Sequence, residues 1–343
     1  MSAIASISTL KRRLSGTVYT PGEDGYSAEL AGFNTAAQHT PEIVVRVESA
    51  GDIAECVRFA RDHGLRVSVQ GAGHGGITPI RSGLLVSTKA LTSITIDEHA
   101  RSANVGAGVR FRSLVEAATP YGLLPISGSS ADVGVVGYLL GGGLGPLSRS
   151  HGFSSDYVES FSVVTGKGDH VTANAAENQD LFWALRGGKG HGLGVVTELG
   201  LRLVELRTLY AGSLAFDESQ IPAALAGYLA WTESADPRVT TSAAIIRYPA
   251  IDAVPEALRG RCILQLRFAF PGSATEGSEL AAPLRGIAPI YLDALGELRA
   301  ADIARIHDDP SEPMPARVGA MLLGCRGPEL LSPLLAQCGP GVD

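Results

Sequence analysis

Residues 65–76 read LRVSVQGAGHGG, and the pattern of side chains changes within this segment. Leu65, Val67 and Val69 alternate with polar residues, which predicts a half-buried β-strand. Residues 71–76 hold four glycines and Ala72. Successive backbone amides that carry no bulky side chain form a concave site for an anionic group. We therefore expect a strand that ends in an anion-binding loop, with a pyrophosphate as its natural ligand.

Two other interpretations of this loop are open. Gly71, Gly73 and Gly76 match the G-x-G-x-x-G spacing of a Rossmann dinucleotide-binding fold. In that fold the loop opens a helix whose N-terminus faces the pyrophosphate. Here Ile77-Thr78-Pro79-Ile80 follows, and its proline is unsuited to a helix. A NAD-binding Rossmann fold is therefore disfavoured. The second alternative is an ordinary glycine-rich turn that contains a hydrogen-bonded histidine.

The composition argues against nucleic-acid and membrane partners. The 343 residues have a formal net charge of −7, and the longest basic run is Lys11–Arg13. A nucleic-acid-binding surface needs a basic stripe, which is missing. No apolar run has the length of a membrane span, and residues 1–15 lack the hydrophobic region of a secretory signal. We expect a cytoplasmic protein that acts on a small molecule.

The spacing of cysteines and histidines predicts no metal site. The cysteines lack C-x-x-C spacing, which favours free or buried thiols over zinc ligands or disulfides. Four of the histidines fall in predicted helix ends, turns and loops, without a second ligand residue at the spacing of a metal site. His307-Asp308-Asp309 resembles a ligand set, but its neighbouring prolines indicate an irregular surface loop. The residues concerned are Cys56, Cys262, Cys325, Cys338, His63, His99, His170 and His307.

Hydrophobic periodicity and turn residues indicate an α+β fold. Ser49 and Asp52 resemble a capping box, and Gly64 ends the predicted helix. Beyond the loop we predict a strand at 84–87, a hairpin of 92–96 with 102–106, a helix at 111–119, a hairpin of 158–165 with 170–173, a short helical face around 181–185 and a strand at 195–206. Past residue 210, predicted helices at 220–234 and 294–306 alternate with strands at 240–247 and 262–270. The predicted domain boundary lies near 207–212.

Four segments follow one another in the order found in one family of flavoproteins. They are Val67–His74, Gly128–Gly152 (GSSADVGVVGYLLGGGLGPLSRSHG), Asn178–Gly188 (NQDLFWALRGG) and Gly192–Thr197 (GLGVVT). On these motifs the chain resembles the berberine-bridge-enzyme-type FAD-dependent oxidoreductases of the vanillyl-alcohol-oxidase superfamily. The resemblance implies an α+β protein in which a two-subdomain PCMH-type FAD-binding domain precedes an incomplete substrate domain of antiparallel sheet plus helices. The implied divisions are a lead-in at 1–36, the FAD-binding domain at 37–208 and the substrate domain at 209–343.

The resemblance also implies the flavin-binding residues. His74 occupies the position that is bonded to the flavin 8α-methyl group in many members of this family, and neutral imidazole is a competent nucleophile. Bicovalent members carry a second, cysteine link where Ser130 stands, so at most one link is expected. Tyr138 replaces a frequent histidine, and supporting the flavin or merely packing its ring are equally open roles. The full implied set is Gln70, Gly71, Ala72, Gly73, His74, Gly75, Ser129, Ser130, Gly134, Gly137, Tyr138, Gly141, Gly142, Gly145, Val195 and Val196.

The implied activity is transfer of a hydride from an alcohol or similar C–H donor to flavin N5, with reoxidation by oxygen or another acceptor. Family members continue past residue 343 and return to the flavin domain through a Tyr-x-Asn-Tyr segment that carries the usual base. No catalytic residue is therefore assigned, and the alternative is a truncated, inactive flavin-binding protein. An unfinished antiparallel sheet leaves an unpaired edge, so self-association is also expected.

Overall fold

The computed structural model describes residues 3–76, 78–188, 192–320, 322 and 328–342. The chain divides into two units, and each is built from separate stretches of sequence. The first comprises Met1–Gly145, Phe153–Glu205 and Pro310–Val318. The second comprises Pro146–Gly152, Leu206–Asp309 and Gly319–Asp343.

Short helices and strands alternate through the first part of the chain. In order they are α1 (Ala3–Arg13), β1 (Thr17–Tyr19), α2 (Tyr26–Leu30), β2 (Ile43–Arg46), α3 (Ala50–Asp62), β3 (Val67–Gln70), β4 (Leu84–Ser87), β5 (Ile94–Asp97), β6 (Ser102–Gly106), α4 (Phe111–Ala118), β7 (Leu123–Leu124), α5 (Val135–Leu140), α6 (Ser148–His151), β8 (Val158–Val164), β9 (His170–Asn174), α7 (Gln179–Leu185), β10 (Val195–Arg202) and β11 (Val204–Glu205). Two 3₁₀ helices, Thr119–Tyr121 and Ser154–Tyr157, are inserted among them. Of these elements only α6 belongs to the second unit.

Helix α3 shows how local sequence sets these boundaries. Ser49 caps its start, because the Ser49 hydroxyl accepts a hydrogen bond from the Asp52 amide at 3.1 Å. The reciprocal half of the predicted capping box is not formed. The buried Asp52 carboxylate instead accepts hydrogen bonds from the amides of Ser15, Gly16 and Glu48. The capping prediction is thus confirmed for Ser49, while Asp52 ties α3 to the chain before β1.

The first unit contains two larger sheets and one short two-stranded sheet. Strands β2, β4 and β3 run parallel in one sheet, with β1 antiparallel at its edge. The other larger sheet is antiparallel, with strand order β5-β6-β10-β8-β9, and the short sheet pairs β11 with β7. In the larger antiparallel sheet, the hairpins β5–β6 and β8–β9 confirm the two hairpins predicted from turn residues. Buried Phe111, Leu114, Phe161 and Leu199 belong to the core beside this sheet.

The second unit is one antiparallel sheet with helices. Its further elements are β12 (Thr208–Asp217), α8 (Ile221–Thr232), β13 (Thr240–Arg247), β14 (Cys262–Phe270), α9 (Ala274–Arg285), β15 (Leu292–Asp293), β16 (Gly296–Arg299) and α10 (Leu331–Cys338), with 3₁₀ helices at Glu218–Gln220, Glu256–Leu258, Ala300–Ile306 and Pro328–Leu330. The strand order is β13-β14-β12-β15, and β16 also pairs with β12. Leu264, Leu266 and Phe268 of β14 share a buried core with Leu225 of α8 and Leu284 of α9.

The predicted helix at 294–306 is wrong in its first half. Gly296–Arg299 is strand β16, antiparallel to β12 with Thr208 opposite Arg299. Only Ala300–Ile306 is helical, and it is a 3₁₀ helix. Local helical spacing was overridden because the backbone of 296–299 finds hydrogen-bond partners on β12.

A segment near the end of the chain belongs to the first unit. Within Pro310–Val318, the Met314 amide donates to the Phe33 carbonyl at 3.0 Å, and the Thr35 amide donates to the Met314 carbonyl at 3.1 Å. Asn34 accepts from the Ala316 amide at 3.0 Å. This pairing joins residues that lie almost 300 positions apart, so no local pattern predicted it.

Candidate cofactor site

The loop begins where β3 ends, at Gln70. Only 6% of Gln70 is exposed, and its Nε2 donates to the Leu30 carbonyl at 2.9 Å. Val69 is 47% exposed, so the prediction that Val69 lies on the buried side of this strand is wrong. The polar Gln70 is buried because the end of α2 supplies its hydrogen-bond partner. Residues 71–76 then form bends and turns, not a helix. This contradicts the Rossmann interpretation of the loop, while Ile77 lies outside the described residues.

Gly73 is required by the way the loop packs. Its φ of +77° lies in the left-handed region, and a Cβ there would sit 2.5 Å from the Gly32 Cα. The Phe33 amide donates to the Ala72 carbonyl at 3.1 Å, and the Asn34 amide donates to the Gly73 carbonyl at 3.4 Å. The loop is thus held against residues 32–34 by main-chain contacts that leave no room for a side chain at residue 73.

Gly75 meets a different environment. A Cβ at Gly75 would have no atom of the described structure within 4 Å. At Gly71 a Cβ would make an ordinary contact with the Thr88 hydroxyl at 3.4 Å. The main chain of the loop is therefore exposed to open space at Gly75, which is what close approach of a ligand requires.

A cavity of about 240 Å³ lies on one side of the loop. Two cationic side chains, Lys89 and Arg110, take part in its wall. Gly134 lies near the loop, since a Cβ on it would be 3.7 Å from the Ala72 Cβ. The next residue, Val135, donates its amide to the Val109 carbonyl at 2.9 Å. The lining residues are Gly71, Ala72, Lys89, Thr92, Gly108, Val109, Arg110 and Ser113.

The two cations are held differently. The Lys89 ammonium donates to the carbonyls of Glu29 at 2.7 Å and Ala31 at 2.8 Å, at the end of α2. Burial lowers the pKa of Lys89 from its usual range, although Glu29 opposes the shift. Arg110 precedes α4, is exposed, and forms a loose 3.9 Å ion pair with Asp132. Arg110 is therefore the cation of this cavity better able to turn toward an anion.

His74 is held flat against one aromatic ring. Its imidazole stacks on Phe33 with the ring centroids 3.9 Å apart and the planes 10° from parallel. The Nε2 atom of His74 is buried. The stack fixes the plane of the ring, and with it the directions in which the ring nitrogens point.

Asp132 lies in the electrostatic field of His74. Arg112 donates to the Asp132 carboxylate at 3.1 Å and 2.7 Å, a two-point contact. This hydrogen bonding from Arg112 is the main cause that holds the pKa of Asp132 below its usual range, and the charges of Arg110 and His74 act in the same direction. Asp132 is thus ionised at neutral pH beside the histidine predicted to anchor the flavin.

Tyr138 is packed inside the first unit. Its ring meets Phe111 edge-on, with the centroids 5.4 Å apart and the planes at 90°. Burial raises the pKa of Tyr138 to about 12. A Cβ at Gly128 or Gly143 would lie 2.8 Å or 2.5 Å from its ring, and its buried hydroxyl lies beside Ser154. The ring of Tyr138 is thus packed in the interior, and a role toward the flavin stays a prediction.

The glycines predicted after Tyr138 make contacts of their own. Gly141 caps the end of α5. Gly142 has a φ of +97°, and a Cβ on it would lie 3.8 Å from the Gly187 Cα. A Cβ at Gly145 would lie 1.9 Å from the Ser127 carbonyl oxygen. Gly137 differs, since a Cβ there meets nothing within 4 Å. The wall of the 240 Å³ cavity contains none of these glycines.

The remaining predicted residues lie behind or beside the loop. The Ser130 hydroxyl accepts from the Asp132 amide at 3.4 Å, and Ser129 is half-buried next to it. Val195 and Val196 are each 6% exposed and pack into two different cores. Both valines lie at the start of strand β10. The carbonyl of the next residue, Thr197, accepts a hydrogen bond from the Ala107 amide at 3.0 Å.

The sequence prediction omitted four residues of this region: Phe33, Lys89, Arg110 and Asp132. Each reaches the loop from another element, so spacing within the loop could not indicate it. A usable signal existed for Arg110, a charge that directly follows the buried run of Ala107 and Val109.

Among the described residues, no group of three histidine, cysteine or acidic side chains is arranged to hold a metal ion, and no helix is both long and apolar enough to cross a bilayer.

Comparison with known proteins bears on the same segment. A family model described as a FAD binding domain matches residues 41–174. The chain is 35% identical over 209 residues to (R)-6-hydroxynicotine oxidase of Paenarthrobacter nicotinovorans, an alignment that covers 60% of this chain and 45% of that protein. The chain therefore spans about half the length of this curated relative.

Two solved structures share the fold. The 6-hydroxy-D-nicotine oxidase of Arthrobacter nicotinovorans superposes with a TM-score of 0.78 at 27% identity, covering 88% of this chain and 66% of that chain. The berberine-bridge-enzyme-like protein 1 of Physcomitrella patens gives 0.72 at 22% identity, covering 86% and 62%, and this shows likeness of fold. The matched domain, the homologues and the shared architecture agree with the resemblance seen in the sequence motifs. The chain therefore carries a FAD binding domain at residues 41–174, and its relatives include proteins named as FAD-linked oxidoreductases.

Proposed function

We propose that this chain is an FAD-dependent oxidoreductase whose loop 71–75 and adjacent cavity hold the cofactor diphosphate, with His74 as a covalent anchor. The observation that carries the proposal is the glycine-lined cavity of about 240 Å³ with Arg110 in its wall, on the same loop as His74. The family assignment supports FAD as the cofactor.

The residues present fit a diphosphate group. Gly71 and Ala72 present main chain to the cavity, and open space lies where a side chain at Gly75 would be. Backbone amides of such a loop bind anions, and Arg110 adds a positive charge that is able to move. Lys89 adds a fixed charge from the wall, because its ammonium is held by carbonyl oxygens.

The surroundings of His74 fit an anchoring role. Phe33 covers one face of the imidazole and fixes its plane. The Asp132 carboxylate is near enough to interact with the ring electrostatically. A neutral imidazole nitrogen is a competent nucleophile near neutral pH. When bound, the flavin supplies the redox chemistry by accepting a hydride from a substrate C–H group.

The proposed substrate is a small molecule with an oxidisable C–H bond next to oxygen or nitrogen. A relative at 35% identity is a 6-hydroxynicotine oxidase by name, and this supports a donor of that general kind. We assign no catalytic base among the described residues. The chain's own contribution in this proposal is to bind the cofactor, orient it through His74, and present a dry, charged wall to its phosphates.

The test of the anchor compares His74→Ala with His63→Ala, which alters an exposed histidine that stacks on Phe59. Each purified chain is incubated with FAD and then denatured in acid. We expect wild type and His63→Ala to keep flavin on the precipitate, and His74→Ala to release all of it while still binding FAD before denaturation. Complete release from the wild type would refute the covalent link. A wild type that stays colourless with FAD would refute the cofactor assignment.

Turnover is tested separately. The flavin-loaded chain is mixed without oxygen with a panel of alcohols and cyclic amines, and loss of visible flavin absorbance reports reduction. Reduction by at least one donor is the expected result. A yellow chain that no donor reduces would instead be a flavin-binding protein without oxidoreductase activity.

A further inference from the structure

The sheet of the second unit has two unlike faces. Side chains alternate along β14, so Leu264, Leu266 and Phe268 face the helices while Gln265 and Arg267 face the other way. In the sheet register Arg267 stands between Ser213 of β12 and Ser242 of β13. Cβ atoms of directly opposite residues lie about 5 Å apart, so these hydroxyls and the guanidinium form one polar cluster.

This cluster contains buried polar atoms that the protein itself does not satisfy. Within the described part of the chain, Arg267 Nε, Ser242 Oγ and His307 Nδ1 are buried and have no hydrogen-bond partner. Leaving a buried donor unpaired is unfavourable, and native proteins therefore rarely tolerate it without a bound water or ligand. Three such atoms in neighbouring side chains indicate a place where a polar ligand is received.

The other contacts of Arg267 leave its Nε without a partner among the described residues. One terminal nitrogen donates to the Gln265 Oε1 at 3.3 Å, and the Gln265 Nε2 donates to the Tyr248 hydroxyl at 3.1 Å. These contacts position the guanidinium along the strand. Its Nε is the inner donor of the fork that an arginine uses to grip a planar carboxylate with two parallel hydrogen bonds.

The charge balance of the cluster favours a single negative charge. Burial, helped by the charge of Arg267, lowers the pKa of His307 to about 4, so this imidazole is neutral at pH 7 and can donate from Nδ1. The exposed Asp309 carboxylate acts on both Arg267 and His307, and Asp308 and the Tyr248 phenol complete the titratable groups around them. One buried cation partly offset by Asp309 suits a carboxylate better than a doubly charged phosphate. His307 is accordingly not the surface-loop residue that the sequence predicted, although Asp308 and Asp309 are exposed.

We propose that Arg267, Ser242 and His307 form a binding site for a carboxylate group, so that the substrate of this chain is a small organic acid. The inference rests on the proposed function for the identity of the reaction, but the site itself stands on the second unit alone. Arg267 would hold the two carboxylate oxygens, and the Ser242 hydroxyl and His307 Nδ1 would complete their hydrogen bonding.

The test measures binding of benzoate and acetate to the full, flavin-loaded chain by calorimetry, with benzamide and acetamide as neutral counterparts. We expect at least one acid to bind and its amide to bind about tenfold more weakly or not at all, since charge-assisted hydrogen bonds are about twice as strong as neutral ones. Arg267→Gln should lose about tenfold or more in affinity for the acid, and Arg267→Lys should recover part of it. Ser242→Ala should lose less, as it removes one neutral donor.

Arg261→Gln is the matched control. Arg261 directly precedes β14, is exposed, and pairs with Asp217 at 3.4 Å, so its loss should leave acid binding unchanged. Equal binding of acid and amide, no binding of either acid, or full affinity in both Arg267→Gln and Ser242→Ala would overturn the proposal. Visible flavin absorbance is recorded on every sample. A yellow chain that binds no acid refutes this site alone, whereas a colourless chain that binds acid refutes the proposed cofactor alone.

Discussion

Loop 71–76 and the segment 134–145 are both rich in glycine, yet their glycines are there for different reasons. At Gly75 the place of a side chain is open space. At Gly143 and Gly145 the same place is already filled, by Tyr138 and Ser154 in one case and by the Ser127 carbonyl in the other. The place of a side chain is thus open at Gly75 and already occupied by the protein's own atoms at Gly143 and Gly145.

The difference limits what a glycine count can indicate. Both segments match flavin-contacting motifs of the family, and both were assigned to the cofactor on that basis. In the structure, Gly71 and Ala72 line the cavity with Arg110, whereas Gly141, Gly142 and Gly145 contribute nothing to its wall. A motif residue that supports the fold of a site is as constrained as one that contacts the ligand, and only its neighbours distinguish the two.

The largest effect that tests this comparison is expected at Gly145. In Gly145→Ala the new Cβ would lie 1.9 Å from the Ser127 carbonyl oxygen, a main-chain atom that cannot move without the backbone around it. We expect the free energy of unfolding to fall by about 3 kcal/mol, the upper range for overpacking. Urea denaturation of the chain measures it. Gly166→Ala, in a turn where a Cβ meets nothing within 4 Å, is the control and should change stability little. Equal stability of both variants would show that residue 145 has room.

Most of the first unit could be predicted because its patterns are local. The hairpins β5–β6 and β8–β9 and helices α3 and α4 follow from turn residues and apolar spacing within some twenty residues. Strand β16 could not, because 294–306 has helical spacing and becomes extended only by pairing with β12. The segment 310–318 joins the first unit through Asn34, a contact between residues 282 positions apart.

The site divides in the same way. The anion-binding loop was predicted because a run of glycines after a strand is a local signal. His74 was predicted because this loop resembles the corresponding loop of a flavoprotein family. Arg110, Asp132 and Phe33 act on the loop from three other elements, and their roles exist only once the chain is folded. The polar cluster around Arg267 was missed for the same reason. The alternation of apolar and polar residues predicts strand β14, but it does not indicate which side chains of other elements its polar face meets.

A smaller effect sharpens the comparison at the two open glycines. Gly137→Ala places a methyl group in free space on helix α5 and should raise stability by up to about 1 kcal/mol, because alanine is the better helix former. Gly75→Ala should leave stability nearly unchanged. If FAD approaches both positions, each variant should bind FAD about tenfold more weakly. The added methyl group would displace the cofactor from the main chain and cost about one charge-assisted hydrogen bond. Titration of apo-protein with FAD measures the affinity. Unchanged affinity in Gly75→Ala would contradict the proposed diphosphate site, and unchanged affinity only in Gly137→Ala would restrict the site to loop 71–75.

The smallest effect concerns Asp132, which lies in the sequence between loop 71–76 and segment 134–145 and interacts electrostatically with His74. The Arg112 hydrogen bonds hold the pKa of Asp132 below its ordinary value of 3.8, so the carboxylate stabilises the fold above that value and loses this contribution as the pH falls through the lowered pKa. Asp132→Asn should therefore cost less than about 1 kcal/mol at neutral pH, since Arg112 is half-exposed, and should flatten the loss of stability in acid. Urea unfolding at neutral pH and near pH 3 measures both, with Arg112→Gln and the double variant completing a thermodynamic cycle. If the double variant lost as much free energy of unfolding as the two single variants together, that result would show that Asp132 and Arg112 are not coupled. Asp132 would then act on His74 alone.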